Sequence, residues 1–199
     1  MASSSELAAL LAEIRACRRC AEKLPLEPRP VLRASVSARV LIAGQAPGTR
    51  VHATGIPWND PSGERLRGWL GMDAASFYDE TRIAILPMGF CYPGRLARGG
   101  DAPPRPECAA LWRERLLAQL PHLQLTLLVG QYAIRHALGP GAMTAQVARF
   151  RELLPARCAL PHPSWRTRGW EQRNPWFASA LLPALRAVLA GIAGAGAGA

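Results

Sequence analysis

The sequence predicts an α/β fold in which a parallel β-sheet is covered by helices on both faces. Short apolar segments that suit buried strands alternate along the chain with segments of helical periodicity. Two loops that combine Gly or Pro with polar side chains directly follow predicted strands. Ligand loops of parallel sheets lie at the carboxyl ends of the strands, so these two loops are the candidate functional site.

The predicted elements follow one another along the chain without an internal repeat. A first helix begins after serines that can cap it, and its apolar residues recur at helical spacing: Leu7, Leu10, Leu11 and Ile14. Predicted strands span 39–43, 82–86, 125–129 and 157–160, and further helices span 62–70, 106–120, 131–138, 144–153 and 175–190. We expect a single domain over residues 1–190 and a disordered Gly/Ala tail over residues 191–199.

The chain is strongly basic, and arginine carries almost all of the positive charge. It has 24 Lys and Arg against 14 Asp and Glu, a formal charge of +10, and Lys23 is its only lysine. Arginine forks suit phosphate oxygens, so nucleic acid is a natural partner. A GC-rich genome that favours arginine codons is the alternative explanation.

Hydropathy and cysteine content indicate the compartment. No segment reaches the roughly 18–20 uninterrupted apolar residues that span a membrane, and the N-terminus lacks the basic region of a secretory signal. We therefore expect a cytoplasmic protein with no membrane partner. In that compartment the five cysteines are thiols or metal ligands rather than disulfides.

The first candidate loop, Gly44–Gly48, comes directly after the first predicted strand. Its two glycines and one proline favour a tight turn whose backbone can approach a ligand closely. A nucleotide phosphate site is the plain alternative. The loop is, however, neither the dinucleotide GxGxxG nor a phosphate loop with GK[ST].

The residues after this loop carry a family resemblance. The run GQAPG-TRVHATGIPWNDPSGERLRGWLG resembles the iron–sulfur branch of the uracil-DNA glycosylase superfamily, whose loop reads GEAPG and continues into a GxPFVG-like segment. The resemblance implies that Gly44, Ala46, Pro47 and Gly48 form the base pocket and that Trp58 stacks on an extruded base. The alternative is that Trp58 is an ordinary core tryptophan.

The second candidate loop, His162-Pro163-Ser164, follows the last predicted strand. In the resembling enzymes this His reaches a carbonyl oxygen of the base and this Ser contacts backbone phosphate. The resemblance further implies that Trp165 and Arg166 fill the space left by the extruded nucleotide.

Several positions depart from the family pattern. Gln45 stands where the iron–sulfur branch has Glu, and Ala46 stands where other members have Asp or Asn. We keep Gln45 with the catalytic group by position, although an amide cannot act as a general base. Asp60 is the nearest carboxylate for placing water, unless it merely caps a helix or turn. Pro87 replaces an Asn that reads uracil, and Met88 beside it is counted among the base-contacting residues.

Four cysteines follow the order seen in the iron–sulfur enzymes. Cys17 and Cys20 form a CxxC, and Cys91 and Cys108 follow later in the chain. The resemblance implies that they bind a [4Fe–4S] cluster; zinc and no metal at all are the alternatives. Cys158 lies in a strand and suits a small core residue.

The resemblance runs from about Cys17 to Leu185. It implies a three-layer α/β/α sandwich with a central four-stranded parallel sheet, and a monomeric, monofunctional DNA glycosylase of base excision repair. Its substrate would be DNA that contains a deaminated base, most simply uracil. Two alternatives stay open: a superfamily member that binds DNA or a base without efficient chemistry, and a nucleotide-binding α/β protein.

Overall fold

The computed structural model describes residues 3–97 and 99–194, and its centre is a four-stranded, fully parallel sheet. The strands are β1 (Val40–Ala43), β2 (Ile83–Ile85), β3 (Leu125–Val129) and β4 (Arg157–Leu160), in the spatial order β2-β1-β3-β4. Ile42 of β1 is in register with Ile85 on one side and Leu127 on the other. The predicted α/β class and four-stranded parallel sheet are confirmed.

Helices cover both faces of this sheet, as expected for strands that are buried on both sides. They are α1 (Ser4–Arg15), α2 (Thr49–Thr54), α3 (Pro61–Leu70), α4 (Ala74–Tyr78), α5 (Pro106–Ala118), α6 (Gln131–Leu138), α7 (Met143–Ala148), α8 (Phe150–Leu153), α9 (Arg168–Arg173) and α10 (Leu182–Gly194). Short 3-10 turns lie at Ala21–Lys23 and Trp165–Thr167, and a π-turn spans Phe177–Leu181.

Alternating strand residues divide the core between the two faces. Leu41 packs on one face with α1 and α5, where Ile14 and Leu116 are fully buried. Ile42 packs on the opposite face, where Leu66 of α3 and other helical residues cover the sheet. This period of two places both faces of each strand in apolar surroundings.

Several elements differ from the prediction. The short helices α2, α4 and α9 form where no helix is predicted, and the predicted helix over 144–153 is divided into α7 and α8 at Arg149. The last helix continues to Gly194, so residues 191–194 are helical where a disordered tail was predicted. The rest of that tail, 195–199, lies outside the described residues.

One described segment, Phe177–Gly194, has the length and apolar composition of a membrane-crossing helix. Its Phe177, Leu181 and Leu185 side chains are fully buried against the protein core. Arg186 on the same segment donates hydrogen bonds to the backbone carbonyls of Trp69 and Gly68 at the end of α3. These contacts are those of a helix that packs on the sheet.

The strand order creates a crevice at the carboxyl edge of the sheet. The chain leaves β1 for the edge strand β2 and then returns past β1 to β3, so the loops after β1 and β3 leave in opposite directions. Ligands of open α/β sheets bind at such a reversal. Both candidate loops end at this edge of the sheet.

Candidate functional site

A cleft of about 500 Å³ opens at the carboxyl edge of the sheet. It brings together nearly all of the residues that the sequence placed in a base and DNA site: Gly44, Gln45, Ala46, Pro47, Gly48, Trp58, Asp60, His162, Ser164, Trp165 and Arg166. The two loops that are far apart in the sequence therefore form the walls of one site.

The first loop is held by backbone hydrogen bonds to the segment after β2. The N–H groups of Met88 and Gly89 donate to the carbonyls of Gly44 and Gln45, at 2.9 and 3.0 Å. The Gln45 side chain also has a structural partner, because its Nε2 donates to the carbonyl of Ala102 at 3.0 Å. This hydrogen bond holds the Gln45 side chain against the loop after β2 while Gln45 still lines the cleft, and its catalytic role stays a prediction.

Met88 is not among the residues that line the cleft, and its contact with a base stays a prediction. Its side chain is buried in the sheet core. Pro87, the preceding residue, lines the cleft instead. Both residues follow the end of β2 at Ile85, and the chain bends at Met88, so the two neighbouring side chains lie in different surroundings.

Trp58 has an unusual backbone conformation that the surrounding glycines permit. It is the only described non-glycine residue with a positive φ, 56°. A Cβ on Gly44 would lie 2.9 Å from the Trp58 ring, and a Cβ on Gly63 would lie 1.7 Å from the Trp58 carbonyl oxygen. A left-handed backbone costs about 1–3 kcal/mol and persists where the surroundings enforce it, often at functional sites.

Asp60 caps the helix that follows Trp58. Its carboxylate accepts a hydrogen bond from the Gly63 N–H at 2.8 Å, and Pro61 occupies the first helical position. The capping role that the sequence allowed is therefore present. Asp60 also lines the cleft, so the cap holds a carboxylate at the site.

His162 lies deep in the cleft and faces Trp58. The two ring centroids are 5.9 Å apart with planes inclined by 35°. The Thr167 hydroxyl donates to the His162 carbonyl, which holds the backbone of the loop. Burial lowers the pKa of His162, and the nearby carboxylates of Asp60 and Asp101 oppose this effect. A neutral imidazole is thereby favoured, which can donate one N–H.

Arg65 joins the second loop to helix α3. Its guanidinium donates to the Ser164 carbonyl, forms an ion pair with Glu171 of α9, and lies 5.3 Å from the centre of the Trp69 ring. The helix that begins beside Trp58 therefore also holds the loop that carries His162. Arg65 therefore links the two loops that form the walls of the cleft.

Asp101 is a cleft carboxylate that the sequence did not single out. It lines the cleft from the loop after β2, and its Oδ2 lies 3.5 Å from where a Cβ on Gly48 would be. Partial burial raises its pKa, while His162 and Arg95 oppose the rise. An Asp in a Gly- and Arg-rich stretch carries no motif, so only the folded chain reveals its place.

The four predicted ligand cysteines surround one small cavity on the face covered by α1 and α5. That cavity is lined by Cys17, Cys20, Cys91 and Cys108 together with apolar residues such as Ile14, Phe90 and Trp112. The Phe90 N–H donates to the Cys108 sulfur at 3.4 Å. Cys158 lies elsewhere and is fully buried in the sheet core, as expected.

Four cysteine sulfurs are a donor set that either a [4Fe–4S] cluster or a structural zinc ion takes as thiolates. Burial raises the pKa of Cys91 to about 11 and that of Cys108 to about 12, so as free thiols they are poor nucleophiles. Across residues 3–97 and 99–194, no three His, Cys, Asp or Glu side chains are placed to share one metal ion.

Comparison with known protein families identifies one match over most of the chain. Residues 33–186 match the family model described as the uracil DNA glycosylase superfamily. The matched range contains both candidate loops, all four strands, Cys91 and Cys108. The N-terminal Cys17 and Cys20 precede it.

The close contact between Trp58 and Gly63 predicts a position-specific loss of stability. We expect Gly63→Ala to lower the free energy of unfolding by about 3 kcal/mol, because its methyl group would collide with the Trp58 carbonyl. Gly68→Ala, in the same helix with open space around it, should be neutral or stabilising by up to about 1 kcal/mol. Urea unfolding measures both, and equal effects would contradict the packing described.

Proposed function

The chain belongs to the uracil DNA glycosylase superfamily, and on that basis we propose that it is a DNA glycosylase. In this proposal it removes a deaminated base, most simply uracil, from DNA by hydrolysis of the N-glycosidic bond. It would thereby begin base excision repair. The observation that carries the proposal is the pairing of Trp58 with His162 across one cleft.

Trp58 supports this reading because its ring is held at the cleft by a constrained backbone. An aromatic ring that is already in place can stack on an extruded base, which contributes roughly 1–3 kcal/mol per base. The base must leave the DNA stack to reach such a pocket. In our proposal the base lies on the Trp58 ring with its carbonyl edge toward His162.

Hydrolysis of the N-glycosidic bond is favoured by a hydrogen-bond donor at the oxygen of the leaving base, and the His162 imidazole can supply one. As the bond between C1′ and the base nitrogen breaks, its electron pair moves onto the base, and the sugar develops positive charge. Water then forms a bond to C1′ and releases a proton. A neutral His162 that donates to the base oxygen would stabilise the leaving base, and loss of a comparable donor costs about 2.7–4 kcal/mol of barrier.

Two carboxylates can serve the sugar side of the reaction. Asp60 is our proposed residue for placing water or offsetting the developing positive charge, and Asp101 is a second carboxylate in the same cleft. One oxygen of Asp60 accepts the helix-capping hydrogen bond, and its second oxygen can serve water. Gln45 is left out of the proposed chemistry because its amide bonds to Ala102.

The proposal is tested by incubating purified protein in excess with oligonucleotides that contain uracil, hypoxanthine or xanthine. We expect abasic product from the uracil substrate and a loss of about 10²–10³-fold in the excision rate for His162→Ala. Trp58→Ala should lose roughly 10–100-fold through weaker base stacking. Absence of abasic product from every substrate would reject the proposal and leave binding without chemistry as the alternative.

The role of Asp60 can be separated from its cap. Asparagine caps helices as well as aspartate does, so Asp60→Asn keeps the helix start and removes only the charge. We expect Asp60→Asn to slow excision while the free energy of unfolding is retained. Asp73→Asn is the matched control, because Asp73 caps α4 through Ser76 outside the cleft. Asp101→Asn is measured in the same assay, and the variant with the larger loss of excision rate identifies the carboxylate that positions the attacking water.

We also propose that the chain belongs to the iron–sulfur branch and that Cys17, Cys20, Cys91 and Cys108 hold a [4Fe–4S] cluster. Their common cavity, its apolar walls and the N–H donor at Cys108 support this. When bound, the cluster would join α1 to the loop after β2, and hydrolysis itself needs no redox step. Zinc is the alternative metal.

The cluster proposal predicts about four irons per chain in protein purified without oxygen, with visible absorbance and little zinc. Cys91→Ser should lose the iron and the absorbance, because one of four thiolate ligands is removed. Cys158→Ser is the control, since that thiol lies outside the cavity. Stoichiometric zinc without iron in the wild-type protein would contradict the proposal.

A further inference from the structure

A short hairpin after β2 forms a wall of the cleft that no family motif marks. The Ala102 N–H donates to the Gly94 carbonyl at 2.8 Å, and the Leu96 N–H donates to the Gly100 carbonyl at 3.0 Å. Arg95 and Asp101 form an antiparallel bridge between the two arms. We call the described residues 94–97 and 99–102 the cleft hairpin.

The cleft hairpin contacts Arg166 of the second loop at Gly99 and Gly100. Gly99 and Gly100 have φ values of 82° and 93°, which favour glycine. A Cβ on Gly100 would lie 3.3 Å from Arg166 Nη1, so the glycine also leaves room for the guanidinium. The Arg166 guanidinium lies 5.5 Å from the centre of the Trp165 ring. Trp165, Arg166 and the hairpin therefore form one continuous rim.

This rim exposes two large apolar side chains to solvent. Trp165 is 73% exposed and Leu96, on the cleft hairpin, is 52% exposed. Arg95, next to Leu96, and Arg166, next to Trp165, are also exposed and line the cleft. The apolar side chains can contact the stacked bases of a nucleic acid, and the neighbouring arginines can contact its phosphates.

We propose that the cleft hairpin is the part of this rim that contacts DNA beside the extruded nucleotide and that Leu96 enters the base stack of the duplex there. Trp165 would enter from the adjoining loop of the same rim, and Arg95 would neutralise a phosphate. This inference rests on the proposed glycosylase function and extends it to the form of DNA that is bound.

The physical reason is the cost of opening a duplex. Extruding a base from paired and stacked DNA costs a few kcal/mol, and an apolar side chain that fills the gap offsets that cost. A single strand has no base pair to break and no partner strand to keep apart. Leu96 should therefore matter for duplex substrates and contribute little on single strands.

The test compares Leu96→Ala with wild type in single-turnover excision of uracil from a duplex and from the same strand alone. We expect a roughly tenfold slower rate on the duplex and less than a twofold change on the single strand. Leu26→Ala is the control, because Leu26 is similarly exposed, at 47%, and lies outside the cleft hairpin. Equal losses on both substrates, no loss on the duplex, or the same loss from Leu26→Ala would overturn the inference.

A binding measurement keeps the test independent of catalysis. A duplex with 2-aminopurine next to the uracil reports unstacking as a rise in fluorescence when the protein binds. Leu96→Ala should bind with a smaller rise than wild type, and an unchanged rise would also overturn the inference. If the wild-type protein produces no abasic site but shows a fluorescence rise that depends on Leu96, the proposed glycosylase function is rejected and the DNA-contacting role of the cleft hairpin is retained.

Discussion

The left-handed backbone at Trp58 is the constraint on which the geometry of the cleft depends. Its carbonyl fills the space over Gly63, and its ring lies against Gly44. The first loop, the start of α3 and the aromatic ring are therefore fixed by one residue. A side chain on either glycine would displace the ring or shift the helix.

Helix α3 connects Trp58 to the second loop of the cleft. Asp60 caps its first turn, and Arg65 from its second turn holds the carbonyl of Ser164 and pairs with Glu171. The position of the loop that carries His162 is thus fixed relative to α3, the helix that begins beside Trp58. An arrangement of this kind holds an aromatic face and a hydrogen-bond donor at a fixed separation before any ligand arrives, which is what catalysis by preorganised groups requires.

The sequence predicted the sheet and most of the cleft because both depend on local patterns. Apolar runs gave the four strands, and loops that follow parallel strands must meet at one edge. Other features lay beyond such patterns. Pro87 rather than Met88 lines the cleft because the chain bends after the end of β2, and the places of Gln45 and Asp101 depend on partners far along the chain. Residues 191–194 include two glycines, which are weak helix formers, and they extend a helix that packs on the core.

In the proposed complex a base extruded from DNA lies between Trp58 and His162. A crystal structure with a duplex that carries a deoxyuridine analogue, with carbon in place of the glycosidic nitrogen, would locate that base. We expect the base stacked on the Trp58 ring, with a carbonyl oxygen within hydrogen-bond distance of the His162 imidazole. A base that stays in the duplex, or that binds away from the Trp58 ring, would contradict it.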